Sequence, residues 1–537
     1  MRRDFIILFL LAVVLFGVNN TFIPADIMES RNLVSAREMV DSGEWLIPSL
    51  NGNVRLEKPP LPTWGAAVVE TFCPHNLMAQ RALSAFMAWL LIWFVYLMVV
   101  EWRHNRSLAL MTSAVLASCY SLMFMARNAT WDIWAQAFCM GGIWLYMRGV
   151  LRRGGQTACF IGAGLMFGLS FMSKGPVALY GLLLPFLIAF HLMVRPSMRG
   201  KWRGLLIAAL LTVLVGAWWY IYIYFCVKGQ AQAVVAKETS AWNNHNVRPW
   251  YYYKLFFVEA GIWSLFWLTA LIDGWRHKRS LPLRTALVWS LAALVLLSLM
   301  PEKKTRYLLP MMVPCAMSVA FYLRRLAEGH FRSLSDQRAL QVNVGIIVVL
   351  LFVLSGGVLY LAFLRDAIPI FGTVPVVGCF ILLAAFLSRE LMPGGQRVGY
   401  IVTGCVGIMV VICVFCFNLV TQVVLNPDYK SLSVLDEDKT LCDKPFVWPE
   451  NRELRPEVMF QSRRIIHLVS PSDTAAVKRN APFVLLSSLP LDSFSLPHDA
   501  EVRALGRYDL NWGRGAAHHR RDKLVINAWC VEMKTSR

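Results

Sequence analysis

Arg2-Arg3-Asp4-Phe5-Ile6-Ile7-Leu8-Phe9-Leu10-Leu11-Ala12-Val13-Val14-Leu15-Phe16-Gly17-Val18 opens the chain. Charged residues precede an apolar run over residues 5–22, and no convincing small-residue cleavage site follows. The run is read as a retained membrane span, not a secretory leader. A crossing helix needs roughly 20 mostly apolar residues. Comparable runs recur at 79–100, 107–124, 132–146, 157–171, 176–194, 204–226, 255–272, 285–300, 307–323, 341–364, 372–388 and 398–420. With residues 5–22 they give about 13 transmembrane helices. The composition agrees: 57% of the 537 residues are hydrophobic and only 16% are charged, where a soluble domain carries about a quarter charged residues.

The formal charge of +20 suggests nucleic acid until its distribution is read. With the N-terminus cytoplasmic, the segments 1–4, 101–106, 147–156, 195–203, 273–284, 324–340 and 389–397 face the cytoplasm. They hold 21 Lys/Arg in 67 residues, against 14 in 108 for the opposite loops 23–78, 125–131, 172–175, 227–254, 301–306 and 365–371. Short cytoplasmic loops of membrane proteins carry this excess. The basic charge is a topology signal, and no basic face is left over for nucleic acid.

An odd number of spans exports the C-terminus. The expected fold class is an α-helical polytopic membrane protein with a small exported α/β domain. Residues 1–420 form the transmembrane part, including outer loops 23–78 and 227–254. Residues 421–537 form the soluble part, with 17 Lys/Arg against 15 Asp/Glu. Short apolar runs there (Ile465-Ile466, Phe483-Val484-Leu485-Leu486, Leu524-Val525-Ile526), broken by Pro and Ser, suggest strands. A Cys442–Cys530 disulfide is a possible staple for an exported domain.

Loop 23–78 holds the densest pattern. Asp26 to Gly43 has helix character, with Gly43 as a stop. Such a helix is expected along the membrane surface, with Asp26, Glu29 and Arg37 on one face. Leu56-Glu57-Lys58-Pro59-Pro60-Leu61 follows. The double Pro excludes helix and makes a stiff strut for Glu57 and Lys58. Other charges near the outer face are Arg127, Asp132, Lys174, His245, Arg248, Lys303, Lys304 and Arg306. Charges at a membrane boundary are costly and usually have a reason.

Cations with carboxylates at this face suit transfer from a lipid phosphate. A departing phosphate needs positive charge, which Lys58, Lys174, Arg127 or Arg306 can supply. An attacking hydroxyl needs a base, which Asp26, Glu29 or Asp132 can supply. Each residue also has a plainer reading. Glu57-Lys58 fits a surface pair, Asp132 a helix cap and Lys174 a snorkelling side chain. His245 fits an ordinary loop residue. The clusters Trp218-Trp219-Tyr220 and Trp250-Tyr251-Tyr252-Tyr253 have aromatic faces that suit sugars, and they also fit interfacial belts.

Taken together, Glu29-Ser30-Arg31, Ala36-Arg37-Glu38-Met39, Gly43-Glu44-Trp45, Ile47-Pro48, Asn51-Gly52 and Leu56–Leu61 resemble one family. It is the membrane glycosyltransferases that include the aminoarabinose–lipid A transferase and, more distantly, the protein O-mannosyltransferases. Thr130-Trp131-Asp132, Ser173-Lys174-Gly175-Pro176 and Arg306-Tyr307-Leu308-Leu309-Pro310 look like theirs too. The resemblance runs over about residues 5–325. It implies the GT-C fold and transfer of a sugar, 4-amino-4-deoxy-L-arabinose among the candidates, from undecaprenyl phosphate at the periplasmic face of a bacterial inner membrane. The acceptor would be lipid A, another envelope glycan or a protein.

By the same match Lys58 grips the donor phosphate and Asp132 is a second active-site acid. The family has an Asp-Glu pair after the first span, where this chain has Met28-Glu29 with Asp26 one turn earlier. Both Asp26 and Glu29 stay candidates. The resemblance also implies a zinc ion held by Glu57 and His245, with His467 as a further candidate ligand. The competing class is a polyprenyl-lipid flippase, which would place ionisable residues at mid-bilayer on broken helices.

Overall fold

The computed structural model describes the chain apart from residues 153, 245, 277–280, 329–333, 393–396, 471–472, 514–521 and 535–537. The chain divides into two compact units. One comprises Met1–Asn20, Leu56–Pro62 and Met78–Leu419, the other Thr21–Arg55, Thr63–Leu77 and Val420–Arg537.

The first unit is helical. Among the described residues eight helices are long and apolar enough to cross a membrane, including Leu77–Arg103, Gln156–Lys174, Trp202–Cys226 and Thr305–Ala327. The number is ten if each of two bent pairs is one span. In Arg106–Ala117 with Tyr120–Ala126 the axis turns by 70°, and in Trp250–Glu259 with Gly261–Arg276 by 106°. The second bend falls at Gly261, whose φ of +60 lies in the left-handed region that glycine tolerates. Trp263 Nε1 donates to Ser118 Oγ at 2.9 Å and ties the two breaks together.

The three remaining expected spans are also helical but do not meet the same measure of length and hydropathy. They are Arg2–Ala12 with its π-turn Val13–Gly17, Trp131–Leu151, and Leu179–Leu183 with Leu184–Met193. Arg127 closes the first of them. Its guanidinium donates to Leu15 O at 2.8 and 3.1 Å and to Val18 O at 2.6 Å, and it covers the Phe417 ring at 4.7 Å. Last-turn carbonyls have no intrahelical donors, and a cation there satisfies them.

The second unit contains a mixed five-stranded sheet. Its strands are β3 (Phe446–Pro449), β4 (Ile466–Val469), β5 (Phe483–Ser487), β6 (Ala500–Asp509) and β7 (Val525–Met533), in the order β4-β3-β5-β7-β6. The β4-β3-β5 pairings are parallel, and β5-β7 and β7-β6 are antiparallel. Successive side chains go to opposite faces. Phe446, Trp448, Ile466, Val484, Leu486, Ile526 and Ala528 fill one core, and Val447, Phe483, Leu485 and Val531 fill the other. The expected strands are present, and the expected disulfide is not. Cys442 is an exposed free thiol and Cys530 a buried one.

Loop residues belong to this unit as well. Helix Ile27–Ser42 starts at a capping box: Asp26 accepts from Met28 N at 2.7 Å and Glu29 N at 2.8 Å, and Glu29 accepts from Asp26 N at 3.4 Å. Gly43 ends it at φ +72. The helix is not a half-exposed surface helix, for Ser30, Asn32 through Met39 and Glu29 are all buried. Arg37 donates to Met459 O at 3.1 Å and Phe460 O at 3.3 Å, in the helix Pro456–Ser462. Burial pulls its guanidinium below the ordinary value, and the carboxylates of Glu38, Asp41, Glu70 and Asp436 oppose that pull. Glu38 holds the turn between β1 (Ser49–Leu50) and β2 (Asn53–Val54), accepting from Ser49 Oγ at 2.5 Å, Asn51 N at 2.6 Å and Gly52 N at 3.1 Å. The Asn51 carboxamide meets both backbone groups of Ile466 on the edge strand β4, each at 2.8 Å.

Candidate active site

Asp132 and Lys174 are brought together by two neighbouring helices of the membrane unit. Trp131–Leu151 begins after Thr130, which makes no side-chain capping bond, and Asp132 sits in its first turn. Gln156–Lys174 ends on Lys174, where Gly175 at φ +72 breaks the helix. The Asp132 carboxylate and Lys174 ammonium form an ion pair, each side chain only 6% exposed. Capping does not account for Asp132, and Lys174 does not snorkel to a surface.

Two more cations act on this carboxylate, Arg306 and Lys58. Arg306 lies in the 3-10 turn Thr305–Leu308, and its Nε is buried with no hydrogen-bond partner among the described residues. Lys58 sits in the non-helical stretch before the helix Leu61–Phe72, as the double Pro requires. Lys174 Nζ also lies 5.3 Å from the centroid of the Tyr307 ring.

Asp132 and Lys174 are buried, and Lys58 and Arg306, which also act on the carboxylate, are half-buried. Lysine and arginine side chains gathered in this way suit an anion with several acceptor oxygens, such as a phosphate, through charge-assisted bonds.

Several other sequence candidates have partners of their own. Arg127 closes the first helix, as described. Asp26 and Glu29 belong to the second unit and share a capping box. Glu57 pairs with Lys237 at 3.2 Å. His245 lies outside the described residues, and His467 is exposed on β4. Among the described residues no three His, Cys, Asp or Glu side chains gather to hold a metal.

Lys303 is buried and donates to Arg248 O at 3.1 Å and Met300 O at 2.5 Å, strapping two loops. The aromatic clusters are not simple belts either. Trp250 and Tyr251 are exposed, but Trp219 and Tyr253 are buried. Sequence reasoning did not single out Glu302, although an acid between Pro301 and two lysines is a visible signal.

The chain is a polytopic membrane protein, and its fold is the GT-C fold. Among solved structures the chain is similar to ArnT from Cupriavidus metallidurans bound to undecaprenyl phosphate, with a TM-score of 0.67 over 97% of each chain at 16% identity. The apo form of that protein superposes with a TM-score of 0.64 over 98% of this chain and 97% of that one, at 15% identity.

In sequence, residues 57–220 match the family described as dolichyl-phosphate-mannose-protein mannosyltransferase. Undecaprenyl phosphate-alpha-4-amino-4-deoxy-L-arabinose arabinosyl transferase 2 of Pseudomonas fluorescens is 24% identical, over 77% of this chain and 72% of its own. The corresponding transferase of Pectobacterium carotovorum is 26% identical, over 70% of this chain and 69% of its own. The chain thus resembles the aminoarabinose transferases along most of its length, as its loop motifs predict.

Proposed function

We propose that this chain is a glycosyltransferase that moves a monosaccharide, 4-amino-4-deoxy-L-arabinose, from undecaprenyl phosphate to lipid A. The observation that carries the reading is the cluster of Lys58, Lys174 and Arg306 around Asp132 in a membrane unit whose fold is that of ArnT. The names of the relatives supply the donor and the sugar.

In the proposed step the acceptor oxygen attacks the anomeric carbon, and the bond from that carbon to the phosphate oxygen breaks. Undecaprenyl phosphate leaves with the bonding electrons, and the configuration inverts. Lys58, Lys174 and Arg306 stabilise the charge that develops on the departing phosphate, while Asp132 keeps Lys174 in place. A carboxylate takes the acceptor proton, and the sequence resemblance leaves Asp26 and Glu29 as the candidates for that role. The reading places the chain in a bacterial inner membrane, N-terminus cytoplasmic and C-terminal sheet domain periplasmic.

The test is transfer in a defined system. The purified chain in lipid vesicles, given undecaprenyl phosphate carrying labelled aminoarabinose and lipid A, should move label into lipid A. Movement of the labelled donor across the bilayer without a new glycoside would instead establish a flippase.

A further inference from the structure

Tyr253 lies in the 3-10 turn Trp250–Leu255, which packs against the turn Thr305–Leu308 that carries Arg306. It is 3% exposed, and its hydroxyl has no hydrogen-bond partner among the described residues. The neighbouring phenol differs, since Tyr252 pairs with Thr305 Oγ1 at 3.2 Å. A buried hydroxyl without a partner costs free energy that a phenylalanine would not, so its presence points to a ligand.

Glu302 is the carboxylate that acts on the Tyr253 phenol. Glu302 is 9% exposed, pairs with Lys304 at 2.5 Å and accepts from the Tyr307 hydroxyl at 3.4 Å. The Tyr307 ring in turn lies beneath Lys174. The Tyr307 side chain therefore links Lys174 to Glu302. In a glycosyl phosphate the sugar ring is bonded directly to the phosphate, so a phosphate held by Lys174 and Arg306 brings the sugar to the turns that carry Glu302 and Tyr253.

We infer that Tyr253 and Glu302 form the subsite for the polar edge of the donor's sugar. Tyr253 hydrogen-bonds one hydroxyl or amino substituent, and Glu302 accepts from its neighbour. A carboxylate and a phenol on neighbouring turns suit a sugar that presents a donor-rich edge, an amino sugar above all. The inference rests on the glycosyltransferase reading.

Tyr253→Phe tests it, because that change removes one oxygen and leaves the packing. The expected result is a roughly tenfold fall in kcat/KM for the polyprenyl phosphate sugar. Competitive inhibition by sugar-free undecaprenyl phosphate should be unchanged, and the thermal midpoint unchanged or raised. Glu302→Gln should show the same split between sugar-bearing and sugar-free lipid. If Tyr253→Phe transfers as fast as an active parent chain, or weakens sugar-free lipid equally, the subsite is wrong while the transferase reading stands. A parent chain that forms no glycoside overturns both.

Discussion

Asp132 and Lys174 face each other with little solvent, so each depends on the other for its charge. Removing one member of a buried pair leaves an uncompensated charge and costs about 3–5 kcal/mol, whereas replacing both with apolar residues is often neutral. Asp132→Ala should therefore lower the thermal midpoint of the purified chain markedly. Asp132→Leu with Lys174→Met should return most of that stability and still transfer no sugar. A double variant that stayed as unstable as the single one would contradict the account of the pair. The sequence showed both residues as isolated charges near span ends. It could not show that two helices bring them into contact, because that depends on packing between spans. Arg127 looked equivalent to Lys58 for the same reason. Only its three bonds to helix-end carbonyls distinguish the two.

Helix Ile27–Ser42 was legible because its signals are local. Asp26 and Glu29 sit three apart at one end, and Gly43 stops the other. The same held for Pro59-Pro60, which excludes helix by covalent geometry. What local signals could not carry was the use of Arg37 and Asn51, whose partners lie more than 400 residues later. Those two residues stand inside the motif string that gives the family resemblance, yet here they fasten the loop to the sheet domain of their own unit. Asn51 also sits at φ +53, a region asparagine enters more readily than alanine. Asn51→Ala should lose two hydrogen bonds and destabilise the second unit by about 2 kcal/mol. Limited proteolysis within residues 421–537 should accelerate. An unchanged cleavage rate would show that the Ile466 pairing adds nothing.

The whole chain shows its class through bulk properties, which is why the membrane fold was the most legible level. Apolar runs and the Lys/Arg asymmetry depend on bilayer thickness and membrane charge, not on packing detail. Span number was harder, because Trp131–Leu151 and Leu179–Met193 are less apolar or shorter than a measure of length and hydropathy requires. Loop residues Thr21–Arg55 and Thr63–Leu77 join the tail in one compact unit, which composition had not suggested. The proposed orientation predicts that alkaline phosphatase fused after residue 537 is active, since that enzyme matures only when exported. Cytoplasmic fluorescence from a fused green fluorescent protein at the same point would contradict it.

On the proposed reading, sugar transfer depends on Lys58, Lys174 and Arg306. The most direct measurement is the vesicle reaction with labelled undecaprenyl phosphate aminoarabinose and lipid A, run for the parent chain beside Lys58→Ala. The account predicts labelled lipid A from the parent and at least a hundredfold less from the variant, in line with the loss of a group that stabilises transition-state charge. Equal label in lipid A from both chains would contradict it.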